Sequence, residues 1–230
     1  MRAFRRRPDH GMSLVELAVA MAISTIVLAA LGAVFVSTIS VVRTTGSQTS
    51  TSADARIGME AMTRSLRVAI RPDGLATALA VADSSAVSVY SLLNRTGATA
   101  PATLAPTLVE YTYDGTCVWE AQTPARTLSS PASGGPYYAW DTGRTEKCLL
   151  RTTVAPHFAY YTTPVLSTGG TDVAPLTVPG GGLDEASRAT VVSVQITLVV
   201  RDAANPDLPG VTDLSRVTLT NVIADLGGAP

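Results

Sequence analysis

Residues 17–42 run for 26 positions without one charged side chain, and no other stretch constrains the chain so strongly. At a rise of 1.5 Å per residue the run makes roughly 39 Å of helix, enough to cross the about 30 Å of hydrocarbon in a bilayer with some tilt. A buried core helix of a soluble domain rarely needs so much. Ahead of it stand Arg2, Arg5, Arg6 and Arg7 against a single acid, Asp9. A short cationic segment of this kind is held on the cytoplasmic side, so everything after Val42 is expected to be exported.

One carboxylate, Glu16, stands at the edge of this span. Taking a charge into hydrocarbon costs about 2.5 to 3.5 kcal/mol on insertion scales, so Glu16 must find a partner or stay near the interface. A cleavable signal peptide is the first alternative for a basic region followed by an apolar one. Its apolar region is about 7 to 15 residues long and ends in a small-residue cleavage site. Here the nearest matches, Ala18-Val19-Ala20 and Ala29-Ala30-Leu31, fall inside the span. That reading fits poorly.

Gly11, Met12, Ser13, Leu14, Val15 and Glu16, behind a short basic leader, resemble the N-terminal motif of the type IV pilin-like proteins, the pilins and the pseudopilins of type II secretion and DNA-uptake machines. In that family a membrane-embedded aspartyl prepilin peptidase cuts after the glycine and methylates the new amino terminus. The resemblance therefore implies cleavage between Gly11 and Met12 and N-methylation of Met12, which replaces the commoner Phe. It assigns Glu16 the docking role of registering an incoming subunit in a filament. The partners it implies are the prepilin peptidase, other pilin or pseudopilin subunits, an inner-membrane platform protein with its cytoplasmic ATPase, and membrane lipid.

The physics of Glu16 agrees with that role. A freed Met12 places its α-amine about one helical turn from the carboxylate, and in a low-dielectric setting the two charges offset each other's desolvation only by pairing. In a stack of such helices, the amine of one subunit can meet Glu16 of a neighbour. The plainer reading is that Glu16 snorkels at the interface and favours the helix macrodipole at its start.

Composition bounds the rest. With 230 residues, 46% hydrophobic and 15% charged, the chain holds one membrane helix and one domain of ordinary size. Loss of residues 1–11 takes Lys+Arg from 17 to 13 and Asp+Glu from 18 to 17, a net charge of −4. That balance argues against a nucleic-acid surface.

Past residue 42 the helix is expected to continue amphipathically. Ala55, Met59, Met62, Leu66, Ala69 and Ile70 recur at spacings of three and four, while Arg56, Glu60, Arg64, Arg67 and Arg71 take the flanks and outer face. Pro72 and Gly74 end it. Residues 44–52, rich in Ser and Thr, are its weak part and a candidate bend. The remainder reads as strands over 86–93, 108–113, 116–121, 147–154, 158–162, 191–201 and 216–223, with Asp114-Gly115 suited to a type I′ hairpin turn. The expected fold is α+β: a long N-terminal helix packed on an antiparallel sheet, in agreement with the ladle-shaped pilin fold that the resemblance implies. Its divisions are a leader at 1–11, a transmembrane or filament-core helix at 12–42, an amphipathic continuation at 43–71 and an exported β-rich domain at 72–230. The size, the loop content and the Cys-Leu-Leu-Arg strand at 148–151 look like the larger minor pilins and minor pseudopilins.

Cys117 and Cys148 both fall in the exported part, where oxidation is permitted, and can close a disulfide over a loop of about 30 residues. The alternative is two buried thiols. His10 and His157 cannot form a His-rich metal site; His157 is read as a loop residue. Gly180-Gly181-Gly182 lacks the lysine and helix of a phosphate loop and reads as a flexible connection. Asp172, Asp184 and Glu185 lie in that loop region and could hold Ca²⁺, as in some of the pseudopilins that the chain resembles, but lack the regular spacing of an EF-hand. No enzyme motif occurs, and neither enzyme activity nor a cofactor is expected. A second class of function is a membrane-anchored or filament-tip binding module, adhesive or DNA-capturing, in which Tyr137, Tyr138, Trp140 and Arg144 stack on a ligand. The favoured reading of those aromatics is hydrophobic cover over the sheet.

Overall fold

A computed structural model describes residues 13–93, 105–128, 137–164, 173–201 and 210–222. The chain divides into two compact units, Met1–Ser47 and Gln48–Pro230. The first helix, α1 (Leu14–Arg67), contributes to both.

In the first unit the described chain is helix alone. Residues 13–43 are all exposed, and apolar side chains point to every side, so there is no polar face to turn toward water. Hydroxyl side chains within it are satisfied locally: Thr25 donates to the Ala22 carbonyl at 2.8 Å and Thr38 to that of Val34 at 2.8 Å. Such back-bonding lets polar residues sit in an apolar helix without an orphan donor. Residues 44–52, expected to be the weak part of the helix, are helical throughout. Thr44 donates to Ser40 O and Ser52 to Gln48 O, so these hydroxyls stay attached to the helix they were expected to weaken. The division between the units falls inside this stretch.

In the second unit the amphipathic half of α1 packs on antiparallel sheet. One sheet has the order β1-β2-β3-β4-β7, from β1 (Leu79–Ala82), β2 (Val87–Ser91), β3 (Thr107–Tyr113), β4 (Cys117–Pro124) and β7 (Thr145–Arg151). The other has the order β10-β9-β8, from β8 (His157–Tyr161), β9 (Ser193–Val200) and β10 (Val211–Thr218). A two-stranded ribbon pairs β5 (Arg126–Thr127) with β6 (Tyr138–Ala139). Ala55, Met59, Met62, Leu66 and Ala69 form one core with Val87, Val89, Val109, Tyr111, Leu150, Phe158, Ile196 and Leu198. This is the predicted stripe, with Ile70 half-buried. Gly58 lies on the same face, where an added Cβ would stand 3.4 Å from Leu198 Cδ2 and 3.5 Å from Leu150 Cδ2. The predicted outer residues are exposed, and Glu60 pairs with Arg64 at 2.7 Å.

Several expectations need correction. The helix stops at Arg67 rather than at Ile70, because the backbone after it pairs with the C-terminal end of β2, beyond the stretch that β1 pairs: Ile70 N–H donates to Tyr90 O at 2.8 Å and Leu92 N–H to Val68 O at 3.0 Å. The residue before Pro72 is in any case disfavoured in helix. The Asp114-Gly115 hairpin forms, but with a four-residue loop between the Tyr113–Val118 pair, and only Gly115 of the two has a positive φ. A type I′ turn needs both residues there. β10 lies five residues earlier than expected, since its polar start pairs along the full length of β9. β1 and the short helix α2 (Glu185–Ala189) were not predicted; Leu-Ala-Val-Ala carries little strand propensity, and five residues make no period.

Candidate assembly segment and its surroundings

The candidate site is the head of α1. Ser13 is its N-cap: its carbonyl accepts the Leu17 N–H at 3.0 Å and its hydroxyl accepts the Val15 N–H at 3.3 Å. Ser13 and Glu16 stand in the S-x-x-E spacing of a capping box, which puts the Glu16 carboxylate in the first turn, where the macrodipole favours a negative charge. Gly11 and Met12, the expected cleavage and methylation positions, lie outside the described residues, as do the leader arginines, Asp9 and His10. The pairing of a Met12 amine with Glu16 is therefore not on view.

Below this first turn, sixteen large apolar side chains from Leu14 to Val42 are exposed, among them Leu28 at 67% and Phe35 at 68%. Full burial of one such side chain yields about 1.5 to 3 kcal/mol. At half that value, sixteen yield roughly 12 to 24 kcal/mol, several times the cost of carrying one carboxylate into an apolar medium. The helix is long and apolar enough to cross a membrane, and this fits membrane anchoring of the chain.

The other predicted positions serve the fold of the second unit. Cys117 and Cys148 form a disulfide between the neighbouring strands β4 and β7, with Cα atoms 5.9 Å apart. The paired alternative is thus realised, and the buried-thiol reading is overturned. Beside it, the Asp114 carboxylate accepts the Trp119 indole N–H at 2.7 Å, the backbone N–H groups of Thr116 and Cys117 at 2.8 Å each, and the Thr116 hydroxyl at 2.9 Å. These donors, the indole foremost, hold Asp114 well below the usual carboxylate range. A loop wired through its first side chain explains why the turn departs from type I′. The turn dipeptide was legible; that its Asp would gather four donors was not, because Trp119 reaches back across the hairpin.

Trp140 lies against Tyr90 with ring centroids 4.5 Å apart and donates to Pro106 O at 3.3 Å. Arg144 is ion-paired with Glu110 and with Glu146. Trp140 and Arg144 thus lie against Tyr90, Glu110 and Glu146 of the larger sheet. A guanidinium held by two carboxylates is poorly placed to bind phosphate. The Tyr111 hydroxyl bonds Ser65 Oγ at 2.9 Å and donates to Ala61 O at 3.2 Å, tying β3 to α1. Burial pushes its ionisation well above the ordinary tyrosine value.

Asp184 is spent as the N-cap of α2, accepting Ser187 N–H at 2.9 Å. Asp172 lies outside the described residues, and among those described no group of three or more His, Cys, Asp or Glu side chains could hold a metal. His157 is not in a loop but opens β8, exposed. Gly182, expected in a flexible connection, is fixed against β1: its φ is +83° and an added Cβ would meet Ala82 O at 3.0 Å, while Leu183 N–H donates to that same oxygen at 2.8 Å.

A family model described as the prokaryotic N-terminal methylation motif matches residues 6–32, which include Gly11, Met12, Ser13 and Glu16. The chain carries the type IV prepilin-like signature at these residues. No curated protein matches the chain.

Proposed function

We propose that this chain is a minor pilin or minor pseudopilin of a type IV filament system, serving a pilus, type II secretion or DNA uptake. In this reading prepilin peptidase cuts between Gly11 and Met12 and methylates the Met12 amine. The protein then waits in the membrane, single-pass with its C-terminal domain exported, until the platform protein and neighbouring subunits draw it into a filament. Residues 1–11 are the leader, 12–42 the membrane or filament-core segment, 43–71 the amphipathic continuation and 72–230 the exported domain. The observation that carries the reading is an all-round apolar helix headed by Ser13 and Glu16, coinciding with the residues that match the methylation motif. That coincidence supports a pilin-like subunit. The minor role rests on size and loop content, and the wiring of Trp140 and Arg144 into the domain favours assembly over ligand capture.

In this mechanism Glu16 is the docking residue. Carried into an apolar medium, its carboxylate accepts the N-terminal amine of an adjacent subunit, and each charge removes the other's desolvation penalty. Co-expression with a prepilin peptidase, followed by N-terminal mass analysis, should give a chain beginning at N-methyl-Met12. An intact leader, or a cut near Ala20 or Ala30, would sink the assignment. Glu16→Ala should leave the chain in the membrane and impair its entry into filaments, and unchanged entry would return Glu16 to a capping role.

A further inference from the structure

We propose that Cys148 is a modification site: an incoming thiol opens the Cys117–Cys148 disulfide at this sulfur and stays attached to it as a mixed disulfide. The inference does not depend on the filament reading. Exchange needs a thiolate to approach one of the two sulfurs in line with the S–S bond, so access decides which sulfur is attacked. The two cysteines differ in access. Cys117 is 4% exposed in β4, while Cys148 is exposed in β7.

The sheet gives the approach its direction. The strand order β3-β4-β7 puts Cys117 on an interior strand and Cys148 on the edge strand. The bond crosses the ladder from β4 to β7, so its line continued past Cys148 leaves the sheet, and continued past Cys117 it runs over β3. A thiolate reaches Cys148 from beyond the edge and finds Cys117 closed. As it attacks the Cys148 sulfur, a new S–S bond forms, the Cys117–Cys148 bond breaks, and the electron pair leaves on Cys117 Sγ. That sulfur takes up the proton which the incoming thiol gave up, and no further oxidant or reductant is consumed.

The surroundings of the leaving sulfur favour return. Val118 O stands 3.3 Å from Cys117 Sγ, placed to accept its S–H once the bond is open. Cys117 N–H donates to the Asp114 carboxylate at 2.8 Å, a contact that breaking the disulfide does not touch. The backbone ladder between β4 and β7 also survives, from the Cys117–Arg151 pair to the Gln122–Thr145 pair. The freed Cys117 thiol is therefore held beside Cys148 and expels the adduct when the outside thiol is removed. Modification at Cys148 is reversible for that reason.

The test uses the full-length chain in detergent micelles. Reduced glutathione is the small-thiol probe, and a dithiol oxidoreductase with its second cysteine replaced by serine is the protein-thiol probe in a second arm. Free thiols are blocked with N-ethylmaleimide and the adduct is located by peptide mass mapping. Adducts on Cys148 should outnumber those on Cys117 roughly ten-fold or more, and the ratio should fall to about one in guanidinium chloride, where the sheet no longer shields Cys117. An adduct with glutathione alone identifies a small thiol as the ligand, and one with the oxidoreductase alone a protein thiol. Equal labelling of the two cysteines in the folded chain, or an excess on Cys117, would overturn the inference. So would a disulfide that reacts only in guanidinium chloride, an adduct that persists after glutathione is removed, or a parent chain carrying two free thiols.

Discussion

The amphipathic half of α1 is an integral part of the second unit's core, and two truncations test this. One begins at Gln48, where the second compact unit starts, and keeps the buried stripe; the other begins at Pro72 and removes it. The second cut takes away Met59, Met62 and Leu66, which are 6%, 0% and 0% exposed. At about 1.5 to 3 kcal/mol each, their burial supplies roughly 4.5 to 9 kcal/mol. It also takes Ser65 Oγ and Ala61 O from the Tyr111 hydroxyl and Ser65 O from the Ser91 hydroxyl, which turn to water in their place. The roughly 4.5 to 9 kcal/mol lost with the apolar stripe is comparable to the whole stability of an ordinary domain, about 5 to 15 kcal/mol. The chain from Gln48 should therefore melt cooperatively by near-UV circular dichroism, with dispersed amide resonances, and the chain from Pro72 should show neither. Cooperative melting of the shorter chain within a few degrees of the longer one would refute the assignment of the stripe to the core.

Two further outcomes follow from the hairpin region. Replacing both Cys117 and Cys148 by Ser removes a cross-link over a sequence separation of 31 residues, worth about 3.7 kcal/mol in the chain-entropy model. For a domain of this size that is a fall in Tm of roughly 7 to 15 °C, and an unchanged Tm in calorimetry would show that the bridge constrains nothing. Asp114, depressed by the donors around it, contributes stability that is fully present above its unfolded value near 3.9 and lost as pH falls through its lower folded value. Between about pH 5 and pH 2 the parent should lose urea resistance faster than Asp114→Asn, and parallel curves would remove Asp114 from the acid response.

What could be read from the sequence was whatever repeats locally. The uncharged run of 17–42 and the three-and-four spacing of Ala55, Met59, Met62 and Leu66 each follow from one periodicity, and both hold. The Glu60–Arg64 pair follows from the same helix geometry. What escaped depends on partners distant in sequence. β1 is strand because β2 lies beside it, not because Leu79-Ala80-Val81-Ala82 prefers to be. The end of α1 is set by Tyr90, which takes up Ile70 N–H, and the place of Trp140 is set by Tyr90 and Pro106, which receive it. At the head of α1, the acid was visible as an anomaly and Ser13 only as part of a motif. The S-x-x-E spacing was there to be read as a helix start.

The hydroxyls of α1 behave differently in its exposed apolar part and in the part that packs on the sheets. Along the apolar half, Thr25 and Thr38 turn back to carbonyls three and four residues earlier and present no unpaired polar group to their surroundings. In the half that packs on the sheets, Ser65 also bonds its own helix, at Ala61 O, but shares its hydroxyl with Tyr111 of β3. Tyr111 reaches the same Ala61 carbonyl, so one turn of α1 is fixed to the sheet by polar contacts as well as by Met62 and Leu66. Residues 44–52 stay helical although Thr44 and Ser52 turn their hydroxyls back on Ser40 O and Gln48 O, contacts that by themselves loosen a helix slightly, so the backbone ladder holds this stretch.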